Sequence, residues 1–255
     1  MAVVWTKTVD QTQYQVRSVG HTIRLFTDGV FHSQYNSARK NSNGIWDLLV
    51  MPAFLPSGAP IKRVLVLGVG GGAVIRMLLD HFNVDEIIGI ELNPMHLYIA
   101  RRFFGLNRNK IKLCQADALQ WVANYQGPKF DLIIEDLFTE NNSQPVRAVR
   151  FSKGWFNQLE SLLNEQGLLI ANFISKNEFR KSEVIQAKKS YKSKYSIHFL
   201  TDLRYDNYIA AFHYCKCNDS SVINHAPRLL KQWLPYLPKS FAINAKNIRV
   251  GTLCR

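Results

Sequence analysis

Three observations predict an α/β fold built on a mainly parallel sheet. Short apolar runs recur between helix-like segments from Ile61 onward. The first of them, Arg63–Leu67, runs straight into the glycine-rich loop Gly68-Val69-Gly70-Gly71-Gly72. Two later runs, Tyr195–Leu203 and Tyr208–Cys217, are joined by so few residues that they must pair antiparallel. Short apolar strands separated by helices are what a sheet covered on both faces requires.

Residues 1–60 read as a small N-terminal β unit with a linking helix. Tyr14–Val19 and His21–Phe26 alternate in polarity, punctuated by turn signals at Gly20 and Thr27-Asp28-Gly29. A helix is predicted from Ile45 to Phe54, with Pro52 and Pro56 ending it. Residues 61–217 form the α/β unit, with strands at Arg63–Leu67, Glu86–Glu91, Ile111–Gln115, Phe130–Glu135 and Leu168–Ile174. Helices are expected at about Ala73–Phe82, from Pro94 to Gly105, over Leu119–Tyr125 and near Ser152–Asn164. Asn93 is a good N-cap for the second of these, and Pro94 suits its first position. A basic helix over Lys176–Lys194 precedes the antiparallel pair. Five parallel strands closed by such a pair make a Rossmann-like sheet of the class I methyltransferase type. Residues 218–255 are an extension with one helix, Pro227–Leu234, and no evident chemistry.

A 255-residue chain with 47% hydrophobic residues is long enough for one sizeable core. No apolar run approaches the roughly 18 residues of a membrane span. The first ten residues lack a signal peptide's basic head and apolar core, so a cytoplasmic location is expected. Cys114, Cys215, Cys217 and Cys254 are too few and too irregular for a disulfide framework. His213, Cys215 and Cys217 alternate, but no fourth metal ligand lies nearby, so no metal is expected. The net charge of +13 concentrates in 176–194 and points to a solvated face or an anionic partner. It also makes the surface a poor attractor for a polycation.

The glycine loop leaves room for a ligand against the backbone, and the following helix N-terminus suits an anionic group. Glu91 ends the second strand, 23 positions after Gly68, where its oxygens can accept ribose hydroxyls. Asp117 and Ala118 follow the third strand; an acceptor there suits an adenine amino group, and Asp117 also reads as a helix N-cap. Asp136 follows the fourth strand, near the crevice where open α/β sheets bind ligands. A carboxylate there can orient a nucleophile or accept its proton. Gly68-x-Gly70-x-x-Ala73 also fits a dinucleotide fingerprint, but no second half-site for nicotinamide is visible.

Residues from about Tyr14 to Phe212 resemble the spermidine synthase family and its spermidine synthase-like relatives within the S-adenosylmethionine-dependent methyltransferase superfamily. The resemblance is carried by Thr27–Ser33, Val64–Gly72, Ile88–Pro94, Ala100–Leu106 and Phe130–Asp136. It implies that Gly68, Gly70 and Gly72 line the methionine end of the cofactor, S-adenosylmethionine or its decarboxylated form; Gly71, in the same loop, is expected to be a cofactor-binding residue as well. It further implies that Glu91 holds the ribose, that Asp117 and Ala118 hold the adenine, and that Asp136 faces the transferred group.

Departures from the family pattern shift the expected chemistry. The family's aminopropyltransferases carry an Asp at the position of Gly71, where it would favour the decarboxylated donor. They carry a second Asp at the position of Thr139 and a Gln at the position of His32; a tyrosine position aligns loosely with Ile45. A methyl transfer from intact S-adenosylmethionine to a small-molecule acceptor is therefore expected, with Asp136 or His32 taking the proton and the β unit acting as a lid. The alternatives are a polyamine aminopropyltransferase, a catalytically silent nucleoside-binding protein, and a nucleic-acid methyltransferase. The last lacks the Asn/Asp-Pro-Pro-aromatic pattern, having Asp136-Leu137-Phe138 instead. Expected partners are the acceptor, an anionic partner on 176–194 and a second copy in a homodimer, with no membrane.

Overall fold

The computed structural model describes residues 1–55, 60–141, 144–187, 194–214, 237–242 and 247–252. The N-terminal β unit is a four-stranded antiparallel meander of β1 (Ala2–Val9), β2 (Thr12–Val19), β3 (Thr22–Thr27) and β4 (Val30–Asn36). Strand β1 carries no polarity alternation because nearly all its residues are exposed, so it left no period-two signal in the sequence. The linking helix is shorter than expected: α1 (Ile45–Val50) tightens into a 3-10 turn over Met51–Phe54. Pro52, without an N–H, cannot continue the α-helical ladder there.

The central sheet is built from β5 (Arg63–Leu67), β6 (Glu86–Glu91), β7 (Ile111–Gln115), β8 (Phe130–Glu135), β11 (Leu163–Phe173), β12 (Tyr195–Asp202), β13 (Tyr208–Tyr214) and β14 (Ile248–Thr252). Their spatial order is β14-β12-β13-β11-β8-β5-β6-β7. A small hairpin, β9 (Phe138–Asn141) with β10 (Gln144–Arg147), stands apart from it. Strands β7, β6, β5, β8 and β11 pair in parallel, and β13 closes them antiparallel to β11. Strand β14 adds an eighth strand beside β12, inside the stretch read from sequence as an extension. The helix expected at Pro227–Leu234 lies outside the described residues, as do Cys215 and Cys217.

Helices α2 (Ala73–His81), α3 (Pro94–Phe103), α4 (Ala118–Asn124) and α5 (Lys153–Ser161) cover the sheet. The two faces follow the strand period: Val64 and Val66 of β5 join one core with α2, α3 and the N-terminal unit, while Leu65 and Leu67 join the other with α4 and α5. The basic segment is not one helix. It forms α6 (Lys176–Lys181) and α7 (Glu183–Gln186), separated at Ser182, whose hydroxyl accepts from Ile185 N–H and caps α7. Its two acids turn toward Arg147 and Arg150, leaving Lys176, Arg180 and Lys181 exposed; Lys188, Lys189 and Lys192 lie outside the described residues. A further short helix, α8, spans Lys239–Ala242, and among the described residues no helix is long and apolar enough to cross a membrane.

The turn out of β5 depends on Gly68, which has φ +85° and packs so tightly that a Cβ would lie 2.1 Å from the Asp136 carbonyl oxygen. Gly68→Ala is expected to lose about 2–4 kcal/mol in urea unfolding. Gly20→Ala, at φ +52° with nothing within 4 Å, should lose only about 1 kcal/mol. Equal losses in the two variants would show that close packing at Gly68 contributes nothing.

Candidate functional site

The carboxyl ends of β8, β5, β6 and β7 lie side by side, and their ladder runs one step past the strands. Asp136 N–H donates to Leu67 O (2.8 Å), Gly68 N–H to Ile90 O (2.9 Å) and Ala116 N–H to Glu91 O (3.1 Å). This aligns Asp136, the glycine loop, Glu91 and the Ala116-Asp117-Ala118 turn along one edge, where open α/β sheets bind ligands.

Glu91 organises the loop. Its Oε2 accepts from the N–H groups of Val69 (3.1 Å) and Gly70 (2.8 Å), and its Oε1 accepts from Asn93 N–H (2.9 Å). His96 Nδ1 lies 3.8 Å from Oε1. Burial alone would raise the Glu91 pKa, but His96 and the amides of Asn93 and Gly70 outweigh it and hold the carboxyl below the usual range. The side chain therefore stays anionic at the mouth of the loop.

Asp117 is the N-cap of α4, its Oδ1 accepting from Gln120 N–H at 2.9 Å, and Ala118 is buried behind it. A recess of about 500 Å³ opens beside Asp117, lined by Gln115, Gln120 and the stacked rings of Trp121 and Tyr125. The capping and ligand-facing readings of Asp117 are compatible, since the cap uses one oxygen.

The N-terminal sheet sits directly on the loop. A Cβ at Gly70 would come within 3.2 Å of the His32 carbonyl, and Ser33 Oγ accepts from Ala73 N–H at 3.4 Å. At Gly71 a Cβ would lie 2.8 Å from both Phe104 Cζ and Ser33 Cβ, two buried residues. The missing side chain at Gly71 is thus matched by a filled space. Thr27 Oγ1 bonds His96 Nε2 (2.9 Å), and Asn93 Nδ2 donates to Tyr14 OH (3.0 Å). The His32 ring lies 4.9 Å from that of His96. Burial and then His96 push the His32 pKa down to about 4, against the pull of Glu91, so the imidazole is neutral at pH 7.

Asp136 has the opposite electrostatic setting from Glu91. Its Oδ1 accepts from Asn172 Nδ2 at 2.7 Å. Burial raises the carboxyl, the Asn172 bond opposes this, Glu135 raises it further and Arg147 opposes, leaving the pKa at about 6. Behind it, the fully buried Glu135 pairs with Arg147 (2.5 Å) and accepts from Trp155 Nε1 (3.4 Å). Arg147 also reaches Glu178 (3.2 Å), Val149 O (3.1 Å) and Asn172 O. Arg147, Asn172, His96 and Phe104 were not singled out from sequence as site residues. The lone amide in the apolar run Leu168–Phe173 was the available signal for Asn172; nothing near Arg147 marks it. Thr139 is exposed on β9, and Ile45 begins α1.

Fold and site together define a class: a class I methyltransferase-like α/β domain with a glycine-loop cradle at its strand ends, covered by an antiparallel sheet. The chain belongs to the spermine/spermidine synthase family, whose domain matches residues 47–218. One relative is polyamine aminopropyltransferase 2 of Caldanaerobacter subterraneus subsp. tengcongensis, 29% identical over 149 residues, covering 57% of this chain and 48% of the relative. Another is the eEF1A lysine and N-terminal methyltransferase of Homo sapiens, 27% identical over 137 residues, covering 50% of this chain and 20% of the relative. The chain thus spans about half the length of the first of these and less of the second. A crystal structure of a probable spermidine synthase from Corynebacterium glutamicum shares the fold with TM-score 0.71 at 15% identity, covering 93% of this chain and 88% of that one.

Because the Asp136 pKa is raised, its charged form is disfavoured in the folded state. The cost is present above about pH 6 and relieved as pH falls toward the unfolded value near 4. Asp136→Asn should be about 1–3 kcal/mol more stable than the parent in urea at pH 8, with the gain shrinking toward pH 4. Equal stability at pH 8 would contradict this setting.

Proposed function

We propose that the chain carries the transferase centre of an aminopropyltransferase-type enzyme, using decarboxylated S-adenosylmethionine and an amine acceptor. The observation that carries the reading is Asp136, a carboxyl of near-neutral proton affinity, one strand from a glycine loop held by an anionic Glu91. The family membership and the aminopropyltransferase relative support the same reading. Glycine at positions 68 and 70 lets the loop backbone pack directly against Asp136 O and His32 O, where a Cβ would collide, and Glu91 brings a carboxylate to the loop's mouth. This donor set fits a nucleoside with a sulfonium tail.

Glu91 would hold the ribose, and Asp117 with Ala118 the adenine edge. The donor supplies an activated carbon: the acceptor nitrogen's lone pair forms the new N–C bond as the C–S pair returns to sulfur, which leaves as a neutral thioether. The proton released by the acceptor nitrogen passes to Asp136, whose pKa of about 6 keeps it ionised at pH 7 yet basic enough to accept. His32, at about 4, is the weaker acceptor and instead walls the loop in neutral form. The N-terminal sheet excludes water from the strand ends. The +13 net charge slows encounter with a polyamine, while Glu91 and Asp136 make the strand-end site itself acidic.

A second reading, methyl transfer from intact S-adenosylmethionine, is favoured by one specific feature. Gly71 offers no carboxylate against the donor's own, and Phe104 and Ser33 close the space where one would stand. The neutral Thr139 and the human methyltransferase relative agree with it.

Calorimetry with the two donors and NAD, paired with mass spectrometry of amine products, separates the readings. Tighter binding of the decarboxylated donor with an aminopropylated product is expected. Tighter binding of the intact donor with a methylated product would overturn the first reading in favour of the second, and tight NAD binding would sink both. Glu91→Ala should remain folded and lose about tenfold or more in donor affinity; unchanged affinity would refute the ribose role. Asp136→Asn should lose about 10²–10⁴-fold in kcat with donor affinity retained.

A further inference from the structure

We propose that Asn172 is a positioning residue for Asp136, its side-chain amide fixing one carboxylate oxygen so that the other faces the acceptor. The inference rests on the reading of Asp136 as the proton acceptor. It starts from an anomaly in β11. Asn172 is 3% exposed within the buried apolar run Leu168–Phe173. A buried amide is costly unless both of its ends are satisfied. Here both are: Nδ2 donates to Asp136 Oδ1 at 2.7 Å, and Oδ1 accepts from Asn207 Nδ2 at 3.0 Å.

The orientation of that amide is fixed by its partners. A carboxylate only accepts, so it takes the Nδ2 end, and Asn207, a donor here, takes the oxygen. Sheet pairing sets the distance: Ala171 is opposite Glu135 in the parallel β8–β11 ladder, which brings the next residues, Asn172 and Asp136, together. The backbone carbonyl of Asn172 is held as well, by the Arg147 guanidinium that pairs with Glu135 and Glu178. Asn207 lies in the turn between β12 and β13, so the closing strands of the sheet reach back to the acid.

Asp136 Oδ1 is therefore committed, while Oδ2 takes no hydrogen bond among the described residues. The charged groups around it are Glu135 beside it, Arg147 at the foot of β10 and Glu91 on β6. Asn172 is the neutral donor among them, and it favours the ionised carboxylate. Its loss should raise the proton affinity of Asp136 and release its orientation together.

The test is a carboxyl titration by 13C NMR of the full chain, with the Asp136 resonance assigned by its absence in Asp136→Asn. It is run beside the pH profile of kcat with decarboxylated S-adenosylmethionine and a diamine. Asn172→Ala should move the Asp136 midpoint from about 6 upward by about one pH unit. The acidic limb of kcat should follow, with donor affinity within about twofold. Asn207→Ala, in a half-buried turn that tolerates change better, should move both in the same direction by less. An unchanged midpoint in both variants would overturn the link between Asn172 and Asp136 even if Asp136→Asn abolishes turnover. A moved midpoint with full turnover in Asp136→Asn would instead remove the proton-acceptor reading, and the positioning role with it.

Discussion

Two backbone amides of the glycine loop, those of Val69 and Gly70, donate to the carboxylate of Glu91, and the geometry of the whole strand-end crevice depends on that contact. The bonds tie the loop after β5 to the end of β6, so the cradle is shaped before any ligand arrives. The same carboxylate accepts from Asn93, the residue that caps α3, so one side chain fixes both the loop and the start of the neighbouring helix. His96 on that helix then meets Thr27 and Tyr14, and the N-terminal sheet docks through them. Binding a ribose here means sharing an acceptor that the loop already uses, which couples loop order to ligand occupancy.

Two acids at the ends of β6 and β8, on either side of β5, are driven apart in proton affinity by their surroundings. Glu91 receives several donated hydrogen bonds and a nearby imidazole and stays anionic. Burial, helped by two other carboxylates and opposed by the Asn172 donor and Arg147, raises Asp136 to about 6, so it can exchange a proton near pH 7. A pair of carboxyls separated in this way can divide labour, one binding and one exchanging protons.

Most of the sheet was legible from sequence because β5, β6, β8 and β11 are largely buried on both faces and so appear as mainly apolar runs. The glycine loop and Glu91 were legible because their spacing is fixed by a single βαβ unit. Strand β1 was not, since an exposed edge strand has no buried face to impose a pattern. Strand β14 sits far from its partner β12 in the chain, and its pairing is decided by the sheet. The Glu135–Arg147–Glu178 network and the Asn172–Asp136 bond join residues from separate elements, so no local spacing announces them. The basic segment misled for the converse reason: its charge pattern suits one long helix, and the capping hydroxyl of Ser182 breaks it.

The filled space at Gly71 constrains which side chains the loop can accept. A change from glycine to an acid at that position would meet Phe104 and Ser33, residues from two other parts of the chain. A charged loop would require all three positions to change together, since changing Gly71 alone would overpack the site. A single substitution at Gly71 is therefore not enough to seat a carboxylate in this loop, because the neighbouring side chains already occupy its place.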